Sequence, residues 1–155
     1  MKNNHKLSKY IIILLVVFVF IQLFLPMIFQ VKGTSMEPLY HENDYVIINY
    51  YSLDKKYSFG DVIVIGKSNE HKEMLKRVIG VEGDHIVIKN NELFINDVQQ
   101  TEDYILEKMN TKDMDFIIPE NNLFVLGDNR NDSIDSRQIG LIHTKNVLGK
   151  VIYHF

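Results

Sequence analysis

The chain has 155 residues, with 17 Lys and Arg, 20 Asp and Glu, no cysteine and a net charge of −3. Without cysteine it has neither disulfides nor thiolate metal sites, and an acidic balance with no basic stripe argues against nucleic-acid binding. All 20 acidic residues lie after Phe29, where only 14 basic residues oppose them, a net of −6.

The first ten residues carry Lys2, Lys6 and Lys9 and no acid, and read as a cytoplasmic tail. Ile11 to Phe29 is an apolar run broken only by Gln22 and Pro26. At about 1.5 Å per residue a helix of that length reaches roughly 28 Å, close to the thickness of a hydrocarbon core. It reads as a retained transmembrane anchor helix. A cleavable leader would have a shorter apolar core followed by small residues, and Pro26 to Lys32 supplies none. The positive-inside rule then places residues 30–155 on the extracytoplasmic face as one β domain.

Beyond Gln30 the texture is β-branched and aromatic. Strands are expected at Tyr45–Tyr51, Val62–Ile65, Met74–Val81, His85–Lys89, Glu92–Asn96, Asn121–Leu126 and Val147–Phe155. Asn90-Asn91 reads as a tight turn. Residues 85–121 read as a small excursion from the main β unit. Thr101 to Asp115, charged and without clear periodicity, reads as a short helix or a loop. The expected fold is therefore mainly β, an antiparallel sheet or partly open barrel after one N-terminal helix.

Three segments offer chemistry. Ser35 follows the apolar run within Gly33-Thr34-Ser35-Met36-Glu37-Pro38, and Lys76-Arg77 follows later. A serine hydroxyl needs a base to take its proton. The six histidines stand in no catalytic or ligand-like setting, and no Gly-x-Ser-x-Gly elbow or His-Glu-x-x-His occurs. Lysine can serve if burial lowers its pKa by about 3 units. In Met74-Leu75-Lys76-Arg77-Val78-Ile79, alternation puts Lys76 with Met74 and Val78, and Arg77 with Leu75 and Ile79. Both faces are apolar, so one cation is expected to be enclosed; lysine can answer by losing its proton and arginine cannot. From that window alone, two cations reaching water from an edge strand is the commoner outcome. The third segment is the polar stretch from Gly127 to Arg137, delivered by the apolar strand Leu123–Leu126. There Asp135 and Arg137 can pair and fix the loop, and Ser133 can orient a neutral lysine.

Together these segments resemble the bacterial type I signal peptidases, in a short form with a single anchor. The resemblance rests on Ser35-Met36-Glu37-Pro38, Gly60-Asp61-Val62-Ile63-Val64, Leu75 to Gly80 with Gly83-Asp84, and Gly127 to Arg137, in that order. It implies a serine endopeptidase that removes signal peptides from secreted precursors, with Ser35 as nucleophile and Lys76 as general base. Ser133, Asp135 and Arg137 would support them, and Met36 and Leu75 would help to line the substrate pockets. It also implies no metal or organic cofactor, and a monomer whose partners are precursor chains and the bilayer. Three departures stand out: Gly33 where some members carry an oxyanion-binding serine, Leu39-Tyr40 after the proline, and Glu82 before Gly83-Asp84. The loss of a hydroxyl at Gly33 leaves the backbone N–H of Ser35, with Thr34 nearby, to hold an oxyanion. Two other readings remain: a Ser-Lys hydrolase of the self-cleaving repressor type, against which an anchor argues, and a catalytically idle anchored β module that binds exported chains.

Overall fold

The computed structural model describes residues 3–24, 27–49, 56–66 and 73–155. Helix α1 spans Asn3–Phe24. The apolar run expected to continue to Phe29 as one span instead divides, because strand β1 (Met27–Gln30) begins beyond it. Pro26 stands between the two. Proline has no N–H to donate and disfavours helical geometry in the residue before it, which favours a break in a helical run at that point of the sequence. Within α1 the described side chains, Ser8 to Phe18, are exposed. Among the described residues no helix offers a stretch long and apolar enough to cross a membrane.

The remaining strands are β2 (Tyr45–Asn49), β3 (Val62–Ile65), β4 (Met74–Gly80), β5 (His85–Lys89), β6 (Glu92–Ile95), β7 (Val98–Gln99), β8 (Met114–Ile117), β9 (Asn122–Leu126), β10 (Ile142–His143) and β11 (Val147–His154). Seven of them form one antiparallel sheet in the order β1-β2-β11-β3-β4-β9-β10. Its two ends do not join, so the fold is the mainly β, partly open antiparallel unit expected from the sequence. The C-terminal strand β11 lies between β2 and β3 and ties the early strands to the central ones. Tyr50 and Tyr51, the expected end of β2, lie outside the described residues.

Strands β3 and β4 sit in the middle of this sheet and are covered on both faces. Val62 and Val64 join Val46, Ile48 and Leu75 on one face; Ile63 and Ile65 join Val78 and Val125 on the other. Each such side chain contributes about 1.5–3 kcal/mol when removed from water. This two-sided burial explains why Val62-Ile63-Val64-Ile65 shows no polar alternation.

The second sheet has four strands in the order β7-β6-β5-β8. Asn90 and Asn91 connect β5 to β6 with φ of 53° and 65°, the left-handed pair of a tight hairpin that asparagine tolerates. Ile86, Ile88 and Leu93 pack with Ile79, Phe124 and Leu126, so the small sheet shares a core with the large one. Residues 101–113 form turns and irregular backbone, not the helix allowed by the sequence, and β8 follows them. Met109 holds this segment down by burying itself in the shared core. A short helix, α2 (Ser136–Ile139), was not anticipated.

Candidate active site

Ser35 stands in the turn that leaves β1. Met36 and Tyr40, one helical turn apart, are both buried, and Tyr40 N donates to Met36 O at 3.1 Å. Their anchorage leaves Ser35 half-buried beside β4. The Glu37-Pro38 peptide bond is cis.

Strand β4 runs between β3 and β9, so every residue from Leu75 to Gly80 is buried. Both cations are therefore enclosed, not one: Lys76 is 3% exposed and Arg77 7%. Their fates follow from their chemistry. Lys76 Nζ lies 2.6 Å from Ser35 Oγ and 3.0 Å from the carbonyl oxygen of Leu75. Burial, only partly offset by the fields of Asp135 and Asp128, lowers its pKa from 10.5 to about 8. At neutral pH roughly a tenth of such an amine is unprotonated, a usable fraction for a base. Arg77 keeps its charge. It grips the fully buried Asp128 with Nε–Oδ1 at 2.8 Å and Nη2–Oδ2 at 2.6 Å, and donates to Gly60 O at 2.9 Å. This pairing, with burial opposing it, leaves the guanidinium pKa raised.

The loop after β9 closes the site. Asn129 N donates to Ser35 O at 3.1 Å, and Asn129 Nδ2 to Thr34 O at 3.3 Å. Asp135 accepts from Gly127 N at 3.1 Å, caps α2, and takes a bidentate pair from Arg137 at 2.8 and 2.7 Å. Arg137 also donates to Arg130 O. The two acid–base pairs thus hold both ends of one loop: Arg77–Asp128 at its start and Asp135–Arg137 at its finish.

An open cleft of about 590 Å³ runs over the dyad, lined by Lys32 to Ser35, Met74, Lys76 and Asn131 to Ile134. Ser133 lines this cleft with Ser35 and Lys76, but its buried Oγ makes no hydrogen bond; the expected bond to Lys76 is not formed in this arrangement. Met36 and Leu75, expected at the pockets, belong to the core beneath, at 1% and 5% exposure. The apolar lining comes instead from Met74, on the Lys76 face of β4, and from Ile134. Thr34 is not a free donor: its hydroxyl donates to Asp132 Oδ2 at 2.6 Å. The three departures also resolve. Gly33 lies on the cleft with φ of 77°. Tyr40 is core and Leu39 is exposed away from the cleft lining. Glu82 accepts from Asn121 N at 2.8 Å.

Sequence reasoning missed Asp128 as the partner of Arg77. A buried arginine cannot lose its proton, so it demanded a carboxylate, and the polar stretch after β9 was the place to seek one. It also missed Tyr104, whose ring lies 4.3 Å from Arg77 Cζ. Among the described residues no group of three or more potential metal ligands occurs.

Comparison with known proteins agrees with this geometry. Residues 5–155 match the family described as "Signal peptidase, peptidase S26". The chain is 35% identical to a signal peptidase I of Bacillus amyloliquefaciens, over 92% of this chain and 82% of that protein. It is 32% identical to signal peptidase IB of Staphylococcus aureus strain Mu50, over 82% and 76% respectively. A crystal structure of a signal peptidase I from Enterococcus faecalis V583 superposes with a TM-score of 0.55 at 30% identity, covering 61% of this chain and 96% of that one. With a Ser-Lys pair at hydrogen-bond distance on this scaffold and a family match across nearly its whole length, the chain belongs to the S26 family of signal peptidases.

Proposed function

We propose that this chain is a membrane-anchored serine endopeptidase that removes signal peptides from secreted precursors, with Ser35 as nucleophile and Lys76 as general base. The carrying observation is the 2.6 Å approach of a buried, proton-shedding lysine to a serine hydroxyl on an open cleft.

Neutral Lys76 takes the Ser35 proton as Oγ attacks the scissile carbonyl carbon. The carbonyl π electrons move to oxygen, and the backbone N–H of Ser35, which donates to no backbone acceptor among the described residues, is placed to stabilise that charge. Protonated Lys76 then gives its proton to the leaving amine as the C–N bond breaks. Water, deprotonated by the same lysine, attacks the acyl-enzyme; the ester C–O bond breaks, Lys76 returns the proton to Ser35 Oγ, and the signal peptide leaves with a new carboxylate. Ser133 Oγ, with its hydrogen-bonding capacity unspent, orients Lys76 once substrate closes the cleft. Met74 and Ile134 flank the bound chain and admit small side chains near the cut.

The bilayer enters through α1. Its described apolar side chains, Tyr10 to Phe18, are exposed, and Lys2, Lys6 and Lys9 precede them. The reading takes α1 as the anchor, with its N-terminus in the cytoplasm and the monomeric catalytic unit outside. Anchoring confines enzyme and precursor to one layer and raises their effective concentration.

The test is precursor cleavage in membranes by full-length protein and by Ser35→Ala and Lys76→Ala. Both variants fold and neither cleaves; turnover in either removes the assignment. Labelling by a serine-directed acylating inhibitor, lost in Ser35→Ala, separates this reading from an idle binding module.

A further inference from the structure

Residues 102–110 cross behind the catalytic loop and touch it repeatedly. Leu106 N donates to Asp128 O at 3.1 Å, Asn110 N to Asn131 Oδ1 at 2.8 Å, and Asn131 Nδ2 to Lys108 O at 3.1 Å. At the centre of this strap stands Tyr104. Its ring covers the Arg77 guanidinium at 4.3 Å and lies 5.8 Å from that of Arg130. Its hydroxyl donates to Glu102 Oε1 at 3.0 Å. Glu102 in turn sits 2.8 Å from Arg130 Nη2, off the N–H axis, as an ion pair within a buried setting.

Tyr104 is absent from the lining of the cleft that holds Ser35 and Lys76. It touches the residue next to the base in sequence. Arg77 has its charge fixed by Asp128, its Nη1 by Gly60 O, and one face by Tyr104, so β4 is gripped at the residue beside Lys76. Lys76 itself feels three charges from the neighbouring loop: Asp135, Asp128 and Arg137. Of these, Asp128 is the one whose pair lies under Tyr104.

We propose that Tyr104 is a positioning residue for the general base: by covering the Arg77–Asp128 pair it keeps that pair dry and fixes the strand from which Lys76 reaches Ser35. The small sheet and its strap thereby become part of the catalytic apparatus. The ring does this work, through its face on the guanidinium, and the hydroxyl serves only the Glu102 contact. This inference rests on the proposed Ser35–Lys76 chemistry.

The experiment uses the full chain in detergent and compares Tyr104→Phe and Tyr104→Leu with the wild type. It reads kcat and KM for a signal-peptide-bearing precursor across pH 6 to 10, and the pH dependence of Ser35 labelling by a small acylating probe. Tyr104→Phe keeps the wild-type profile. Tyr104→Leu lowers kcat about five- to tenfold, leaves KM unchanged and moves the acidic limb of both profiles downward, because water at the Arg77–Asp128 pair screens the Asp128 charge whose field raises the Lys76 pKa. A folded Tyr104→Leu protein with an unmoved profile, or a loss carried by KM alone, overturns the proposal. So does a Tyr104→Phe profile shifted from that of the wild type, a result that stands even if Tyr104→Leu does not fold. A wild type inert to both precursor and probe instead removes the proposed function, and with it the base that Tyr104 would position.

Discussion

Gly127 and Ser133 leave each other no room: a methyl group on Gly127 would lie 2.2 Å from Ser133 Oγ and 2.5 Å from the carbonyl oxygen of Ser35. No side-chain rotation relieves the second contact, because a backbone atom stands there. Gly127→Ala should therefore push the loop away from the nucleophile turn and reduce precursor cleavage by about 100-fold or more, since small misplacements of a nucleophile are expensive. A cleavage assay paired with thermal unfolding checks it, and activity near that of the wild type would mean the loop yields easily.

The pH–rate profile should rise through about pH 8, the pKa to which burial lowers Lys76, and level off above it. Below that value the base is protonated and turnover falls about tenfold per pH unit. A profile flat from pH 6 to 10 takes Lys76 out of the base role.

Stability should carry a second mark of the same group. The folded pKa is about 8 against 10.5 in the unfolded chain. Between these values the unfolded chain holds a proton that the folded one has released, so stability rises with pH through that window. Below pH 8 both forms are protonated and the desolvation of a buried ammonium stands in full, about 3 kcal/mol. Lys76→Met, similar in shape and without charge, should thus be inactive yet more stable than the wild type at pH 7. The difference should shrink as pH approaches 10.5. Urea titrations at pH 7 and pH 10 measure it.

Asp135→Asn leaves Arg137 buried without a carboxylate, loosens Gly127 N and weakens the cap of α2. Removing one partner of a buried pair costs about 3–5 kcal/mol. Asp132→Asn, at an exposed position with one bond to Thr34, should cost about 1 kcal/mol. Chemical denaturation of the two variants should separate them clearly.

Ser133→Ala separates orientation from packing. The hydroxyl has no partner in the resting site, so its removal should not lower stability. If it orients Lys76 against bound substrate, kcat should nevertheless fall by about tenfold or more. Unchanged kcat assigns Ser133 to packing against Gly127 alone.

Much of the β architecture was legible because its strands obey simple rules. Ile86 and Ile88, buried, alternate with the half-buried His85 and Val87 and the exposed Lys89, and Asn90-Asn91 supplies the turn that joins β5 to β6. Ser35 and Lys76 were legible as types, although only folding could bring them within 2.6 Å across forty-one positions of sequence. What escaped were features set by tertiary contact. Strand β1 was hidden because Met27-Ile28-Phe29 continues an apolar run, and only its pairing with β2 distinguishes it. Met36 and Leu75 were expected at the pockets and are buried in the core cluster, because an apolar residue beside Ser35 or Lys76 can face the core or the cleft, and alternation alone does not say which. The enclosure of Arg77 along with Lys76 escaped because its partner Asp128 is fifty-one positions away.

The hydrogen bond from Thr34 to Asp132 spans ninety-eight positions, and Asn129 meets Ser35 alongside it. A ribosome that has finished Lys76 has made both reactive groups but none of the brace that aligns them. The alignment of Ser35 with Lys76 seen here is therefore complete only once the loop after β9 has been made.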